Sequence, residues 1–213
     1  MQFGLRYCNT ARYTDPKQAV ALAQAAEAAG FESLWTVEHT IVPADYASSY
    51  PYDPSGKMAG GRNDILLPDP LIWMAFVAAA TTKIRLATGI LILPQHNPVL
   101  AAKQIATLDH LSHGRVLLGV GVGWLREEFA ALGVPFAERG ARMDEYIAAM
   151  RELWSAESLP SRAASLPSRV PIAGRNRSAK QCRSSSAATR RPPRVARADW
   201  ATVSSRRAVR RQI

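Results

Sequence analysis

Glu38 and His39, neighbours at the end of a short apolar run, carry the most chemistry in this sequence. An unperturbed imidazole titrates near neutrality, so His39 is a candidate acid, base or hydrogen-bond donor; the other reading is a histidine that caps a strand end. On an extended segment Glu38 points to the opposite face, where a bond to a buried arginine or a backbone amide is the expected use. The run Gly119-Val120-Gly121-Val122-Gly123 leads into Trp124 and then Glu127 and Glu128. Its G-x-G-x-G spacing is not the dinucleotide fingerprint and no acid follows at the required distance, which argues against Rossmann-type binding. Thr88-Gly89-Ile90 puts a glycine inside an apolar segment, marking either a bulge or close backbone approach to a ligand, or else an ordinary strand glycine. Tyr46, Tyr50 and Tyr52 sit in one polar loop; they either line a substrate mouth or pack the loop on itself. No His or Cys cluster has metal-ligand spacing, so no metal is expected, and nothing matches a Ser-His-Asp or Cys-His nucleophile motif.

The elements that must position these residues alternate short apolar strands with amphipathic helices, the pattern of βα units and a parallel sheet. Strands are expected at Gln2 to Cys8, Ser33 to Val37, Ile84 to Leu93 and Val116 to Val122. Asp15-Pro16, Asp69-Pro70 and Asn97-Pro98 each pair an N-cap with a proline at the first helical position, predicting helices that run to Gly30, Ala80 and about Leu111. Two more helical stretches follow, Trp124 to Leu132 and Glu138 to Trp154. Asp109 and Arg115 are expected to pair and fix the third helix to the fourth strand. The connection from Glu38 to Pro68 is long, rich in Tyr, Pro, Gly and Asp, and loops of this length are usually lids or binding segments. Four βα units make half of an eightfold barrel.

The chain has 213 residues, 47% of them apolar, and two cysteines. Collagen, coiled-coil and disulfide-scaffold classes are excluded. Cys8 and Cys182 are too few and too far apart for a metal site and fit a reducing compartment. The longest apolar run, Leu71 to Ala80, is about half of what a bilayer-spanning helix needs, and the N-terminus has no signal-type apolar region, so a cytoplasmic protein without membrane partners is expected. The net charge of +10 is unevenly spread: residues 1–156 hold 13 basic and 15 acidic side chains, residues 157–213 hold 14 and 2.

Glu38-His39, Thr88-Gly89-Ile90-Leu91, Leu108-Asp109-His110-Leu111-Ser112-His113-Gly114-Arg115 and Leu118-Gly119-Val120-Gly121-Val122-Gly123-Trp124, in this order, closely resemble the luciferase-like monooxygenase superfamily. The spacing of Trp124 with Glu127-Glu128-Phe129, and of Arg139 with Arg142-Met143-Asp144-Glu145, is similar to its branch that uses the deazaflavin coenzyme F420. The resemblance covers roughly residues 1–156. It implies a (β/α)8 TIM-type barrel, incomplete here with about the first four βα units, and an oxidoreductase or monooxygenase acting on a small organic substrate with F420, or alternatively FMN. The ring would lie at the C-terminal strand ends. His39 would stand beside it, Thr88, Gly89 and Ile90 would support its back face, Gly121 and Gly123 would admit it, and Trp124 would stack on or cover it. Relatives of the deazaflavin branch carry an acid where Trp124 stands, which leaves Glu127 as the substitute proton donor.

Ser, Arg and Ala make up 33 of the last 57 residues, a composition that cannot bury enough apolar surface to order itself. This segment reads as a shifted frame of the same DNA. If each codon takes the third base of one printed codon and the first two of the next, Asp199-Trp200-Ala201 forces Leu then Gly and permits the Leu-Gly-Asp-Gly that the family carries late in its sequence. Ser184 to Thr189 permits three aliphatic residues followed by Gly-Gly-His, and Ser158 to Val170 permits a Phe- and Gly-containing repeat. The Gly-Gly pair belongs to the family's phosphate-holding region, replaced here by Ala187-Ala188, so impaired coenzyme binding is expected. The competing expectations are an inactive fragment, one that pairs with a homologous subunit or forms a homo-oligomer, and a polyanion-binding protein using Arg190-Arg191 and Arg206-Arg207. Nucleic acid is the weaker partner, since aromatic interleaving is reduced to Trp200.

Overall fold

The computed structural model describes residues 2–58, 65–155 and 194–197. Short parallel strands alternate with helices. β1 (Gly4–Leu5) is followed by a 3-10 turn and α1 (Pro16–Ala28), β2 (Ser33–Thr36) by the long loop and α2 (Pro70–Ala78), and β3 (Arg85–Thr88) by β4 (Leu91–Ile92) and α3 (Pro98–Leu111). Then come β5 (Val116–Gly121), α4 (Arg126–Ala131), α5 (Arg139–Ser155) and β6 (Arg194–Arg197). Every described pairing is parallel: β1 on β2, β2 on β3, β3 and β4 on β5, and β5 on β6. This is an α/β partial barrel of four successive βα units.

The three helix starts form as their sequences require. Asp15 accepts from the Gln18 amide at 3.0 Å, Asp69 from Ile72 at 2.9 Å and Asn97 from Val99 and Leu100, each ahead of a proline that has no N–H to satisfy. Gly30, at φ +80°, takes the left-handed position that ends α1. The first strand is shorter than its apolar run because Tyr7 turns to φ 59°, although the Cys8 amide still reaches the Trp35 carbonyl at 3.0 Å.

Alternation along the strands separates two faces. Leu34, Leu86, Leu118 and Val120 are buried under the helices with Ala19, Ala23, Met74, Val77 and Ile105. On the opposite face the Trp35 indole lies over Gly4 and Gly89, where an added Cβ would sit 2.6 and 3.0 Å from it. Arg115 ties three segments together: its guanidinium donates to the carbonyls of Ala78, Thr81, Ile84 and Ser112 and to Thr81 Oγ1. The Asp109 carboxylate accepts from the Val116 amide at 3.3 Å, which fixes α3 to β5.

The segment expected as one strand from Ile84 to Leu93 is two. Ala87 pairs with Leu117 but Leu91 pairs with Val120, so one extra residue stands on this side between the two pairs. That is the bulge expected at Gly89. The Gly89–Ile90 peptide is cis. Beyond Ser155 only Arg194–Arg197 is described, and the expectation that residues 157–213 are disordered and frame-shifted otherwise lies outside the described residues. Those four residues pair in parallel along β5, from Leu117↔Arg194 to Val120↔Arg197, where an open strand edge offers unpaired N–H and C=O groups to an extended segment. Among the described residues, no helix is long and apolar enough to cross a membrane.

Candidate functional site

The chemistry gathers where β2, β4 and β5 end. Directly after β2, Glu38 and His39 diverge, as neighbours on an extended chain must. Glu38 turns toward β4: one carboxylate oxygen accepts from the Ile92 amide and the other meets His96 Nε2 at 2.8 Å. The expected use of Glu38 on a backbone amide is therefore present, with His96 as a second partner. Burial pushes the His96 imidazole down, but the bond to Glu38, its charge and the charges of Asp69 and Glu128 outweigh this and hold it above its ordinary value.

His39 turns the other way, toward α4. Its Nδ1 lies 3.0 Å from Glu128 Oε2, while Glu128 Oε1 accepts from the amides of Thr40 at 2.6 Å and Ile41 at 3.3 Å. Glu128 is fully buried. Burial alone would raise its pKa, yet the bond and charge of His39 and the Thr40 amide bring it below the ordinary carboxylate range. The Gln95 amide is near enough to add to this lowering but lacks hydrogen-bond geometry, so its Nε2 and Oε1 are sealed from solvent without partners. His39 Nε2 has no hydrogen-bond partner among the described residues.

Trp124 is the centre of an aromatic cluster. His39, Tyr46 and Tyr50 meet it edge-on with ring centroids at 5.8, 5.5 and 5.1 Å, and Tyr52 meets Tyr50 in the same way at 5.4 Å. Tyr50 is half-buried and Tyr52 exposed. Tyr46 is 3% exposed, its hydroxyl accepts from the Met58 amide, and the Lys57 ammonium lies 4.2 Å from its ring centre. Tyr46 is therefore packing within the loop rather than an open lining.

Thr88, Gly89, Gly121 and Gly123, expected around the ring, have partners or close neighbours within the chain. The Thr88 hydroxyl, fully buried, donates to the Gly119 carbonyl at 2.7 Å and accepts from the Gly119 amide at 3.0 Å, stitching the sheet where the bulge breaks its ladder. Gly89 makes room for Trp35. A Cβ on Gly121 would sit 2.8 Å from Ile90, and one on Gly123, which has φ +77°, would sit 2.7 Å from Ile92 and 2.8 Å from Phe129. These glycines admit side chains of the barrel, and Ile90 itself is left partly exposed over Gly121.

Glu127 ties the loop after β2 to α4. Its carboxylate accepts from the amides of Ala47 and Ser48 and from the Ser48 hydroxyl, at 2.7, 3.1 and 2.7 Å. The Ser48 hydroxyl first, and the amides with it, hold the carboxyl at about 2, so it is an ionised latch for the loop. Gln95 is absent from the residues the sequence singles out, and Glu128 stands there only within a motif, with no site role. A signal for Glu128 exists: it stands three positions after Leu125 and one before Phe129, on the helix face where both are fully buried.

A profile of the luciferase-like monooxygenase family matches residues 2–210. The chain is 39% identical over 157 residues to an uncharacterized protein of Mycobacterium tuberculosis, covering 74% of this chain and 54% of that protein. It is 33% identical over 157 residues to the F420-dependent glucose-6-phosphate dehydrogenase of Amycolatopsis mediterranei, covering 72% and 42%. The solved structure of the monooxygenase RslO1 from Streptomyces bottropensis superposes with a TM-score of 0.56 at 30% identity, over 75% of this chain and 44% of that one. The chain thus spans about half the length of the curated relatives it matches. From the ordered motifs, the parallel partial barrel and these matches together, the chain belongs to the luciferase-like monooxygenase family.

Proposed function

We propose that this chain serves an oxidoreductase that holds the deazaflavin ring of coenzyme F420 against its strand ends and uses His39 to move a proton beside it. The observation that carries this reading is His39 itself: Nδ1 committed to a buried carboxylate, Nε2 without a partner among the described residues, and the ring set edge-on to Trp124. The kinship with an F420-dependent glucose-6-phosphate dehydrogenase favours the deazaflavin.

The residues present fit the ring. The buried Gln95 amide carries an unpartnered donor next to an unpartnered acceptor, which is the complement of a cyclic imide edge such as flavins and deazaflavins have. Ile90, standing over Gly121, offers an apolar surface and Trp124 a flat one. When bound, the ring supplies the redox chemistry that amino-acid side chains lack. The chain's own residues do the rest: Gln95 orients the imide edge, His39 Nε2 holds or takes the proton, and Trp124 with Tyr50 and Tyr52 excludes water from a small organic substrate. Glu127 stays ionised at neutral pH and takes no part as an acid. FMN presents the same imide edge and is the second candidate.

The test is a fluorescence titration of F420, with FMN in parallel. Because Ala187-Ala188 stands where the family's glycine pair is expected, the chain is expected to bind F420 weakly, and Gln95→Ala to weaken it further. Preference for FMN would overturn the deazaflavin assignment. Unchanged F420 binding in Gln95→Ala would remove the role of Gln95, and absence of binding by both ligands would overturn the cofactor reading. Micromolar F420 affinity would show that Ala187-Ala188 does not impair the site.

A further inference from the structure

We infer that Glu128 is the positioning residue of His39: its buried carboxylate fixes the imidazole as the Nδ1–H tautomer and leaves Nε2 as the ring nitrogen that exchanges a proton at the barrel mouth. The consequence for turnover rests on the reading of His39 given above, whereas the tautomer follows from the pairing alone. Both ring nitrogens of a neutral histidine differ in kind, one a donor and one an acceptor, and the partner of one decides the role of the other.

The partner set of Glu128 leaves little choice. Oε1 faces two N–H donors, Thr40 at 2.6 Å and Ile41 at 3.3 Å, so a proton on that oxygen would set donor against donor and displace at least one of these bonds. A proton on Oε2 would be donated to His39 Nδ1 at 3.0 Å and would force the opposite tautomer, Nε2–H. The two charge states of Glu128 therefore correspond to two different histidines. Two backbone N–H donors converging on one oxygen of a fully buried carboxyl favour the anion, and an anion only accepts, so His39 Nδ1 must donate. Trp124, edge-on to the imidazole at 82°, restricts the ring turn that would exchange the nitrogens. The contacts within the pair Glu38–His96 run through Nε2 instead, so the arrangement at His39 is not a general property of the histidines here.

The experiment is a long-range proton–nitrogen correlation spectrum of the full chain labelled with 15N, at a pH where the ring is neutral, with His39 assigned by the signals lost in His39→Ala. Nδ1 is expected to carry the proton and Nε2 to show the shift of an unprotonated nitrogen. In Glu128→Gln the amides of Thr40 and Ile41 demand the carboxamide oxygen, so its NH2 group faces His39 and the tautomer inverts. Glu127→Gln, one residue away but bonded to Ala47 and Ser48, leaves the His39 signals unchanged. A wild-type Nε2–H tautomer, or an unchanged tautomer in folded Glu128→Gln, overturns the inference. If Glu128→Gln does not fold, the wild-type spectrum with its Glu127→Gln control decides it. A chain that keeps the Nδ1–H tautomer yet binds no deazaflavin upholds the role of Glu128 and removes the cofactor reading.

Discussion

Thr88 and Gly121 show how side chains take over where the backbone ladder fails. With the extra residue at the bulge, the Gly119 amide and carbonyl lose the strand partners that regular pairing would give, and the Thr88 hydroxyl serves both. Thr88→Val keeps the shape but removes both bonds, and leaving buried backbone groups unsatisfied costs about 1–3 kcal/mol. Urea unfolding should show this loss with an unchanged slope. Gly121→Ala drives a methyl group to within 2.8 Å of the end of the partly exposed Ile90 side chain, which must turn aside, and should cost up to about 1 kcal/mol. If Gly121 instead kept space open for a ligand, the same substitution would spare stability and impair F420 binding, so the two measurements together separate the roles. The sequence marks the bulge, since a glycine inside an apolar strand has few other uses. It cannot mark Thr88 as the residue that closes the gap, because Gly119 is 31 positions away.

At the scale of elements, acids hold loops onto helices. Glu27, at the end of α1, accepts from the amides of Thr82, Lys83 and Ile84 and so fixes the entry to β3. Partial burial opposes its ionisation, but these amides, Ile84 foremost, and the Thr82 hydroxyl lower the carboxyl from an ordinary 4.5 to about 2. A carboxyl depressed in the folded state adds stability that is fully present above its unfolded pKa and is lost as pH falls through the folded one. The unfolding midpoint should therefore fall between about pH 4.5 and pH 2, and Glu27→Gln should flatten that part of the profile while leaving the chain less stable at pH 7. An unaltered profile in the variant would show that Glu27 is not a source of the acid sensitivity. Glu127 and Glu128 do the same for the loop after β2, gripping it at Ala47 and Ser48 and at Thr40 and Ile41. The helix starts were legible in the sequence because a cap and its proline lie within three residues of the amides they serve. These latches were not, because their partners lie 55 to 88 residues apart and only the fold brings them together.

At the scale of the molecule, a parallel sheet that has not closed on itself must protect its last strand. β5 receives β3 and β4 on one edge and β6 on the other, each in parallel. Composition alone argued against any order after residue 157, since Ser, Arg and Ala dominate there; what composition omits is that a sheet edge selects for backbone groups and tolerates many side chains. If β6 shields the edge, a chain ending at Ser155 should self-associate more than the full chain, because β5 would present its N–H and C=O groups from Leu117 to Val120 to another copy. Light scattering across a concentration series, with the full chain beside it at equal ionic strength, reads this directly. Equal scattering from both would mean that the edge is guarded without β6, and that the pairing of Arg194–Arg197 contributes nothing to keeping copies apart.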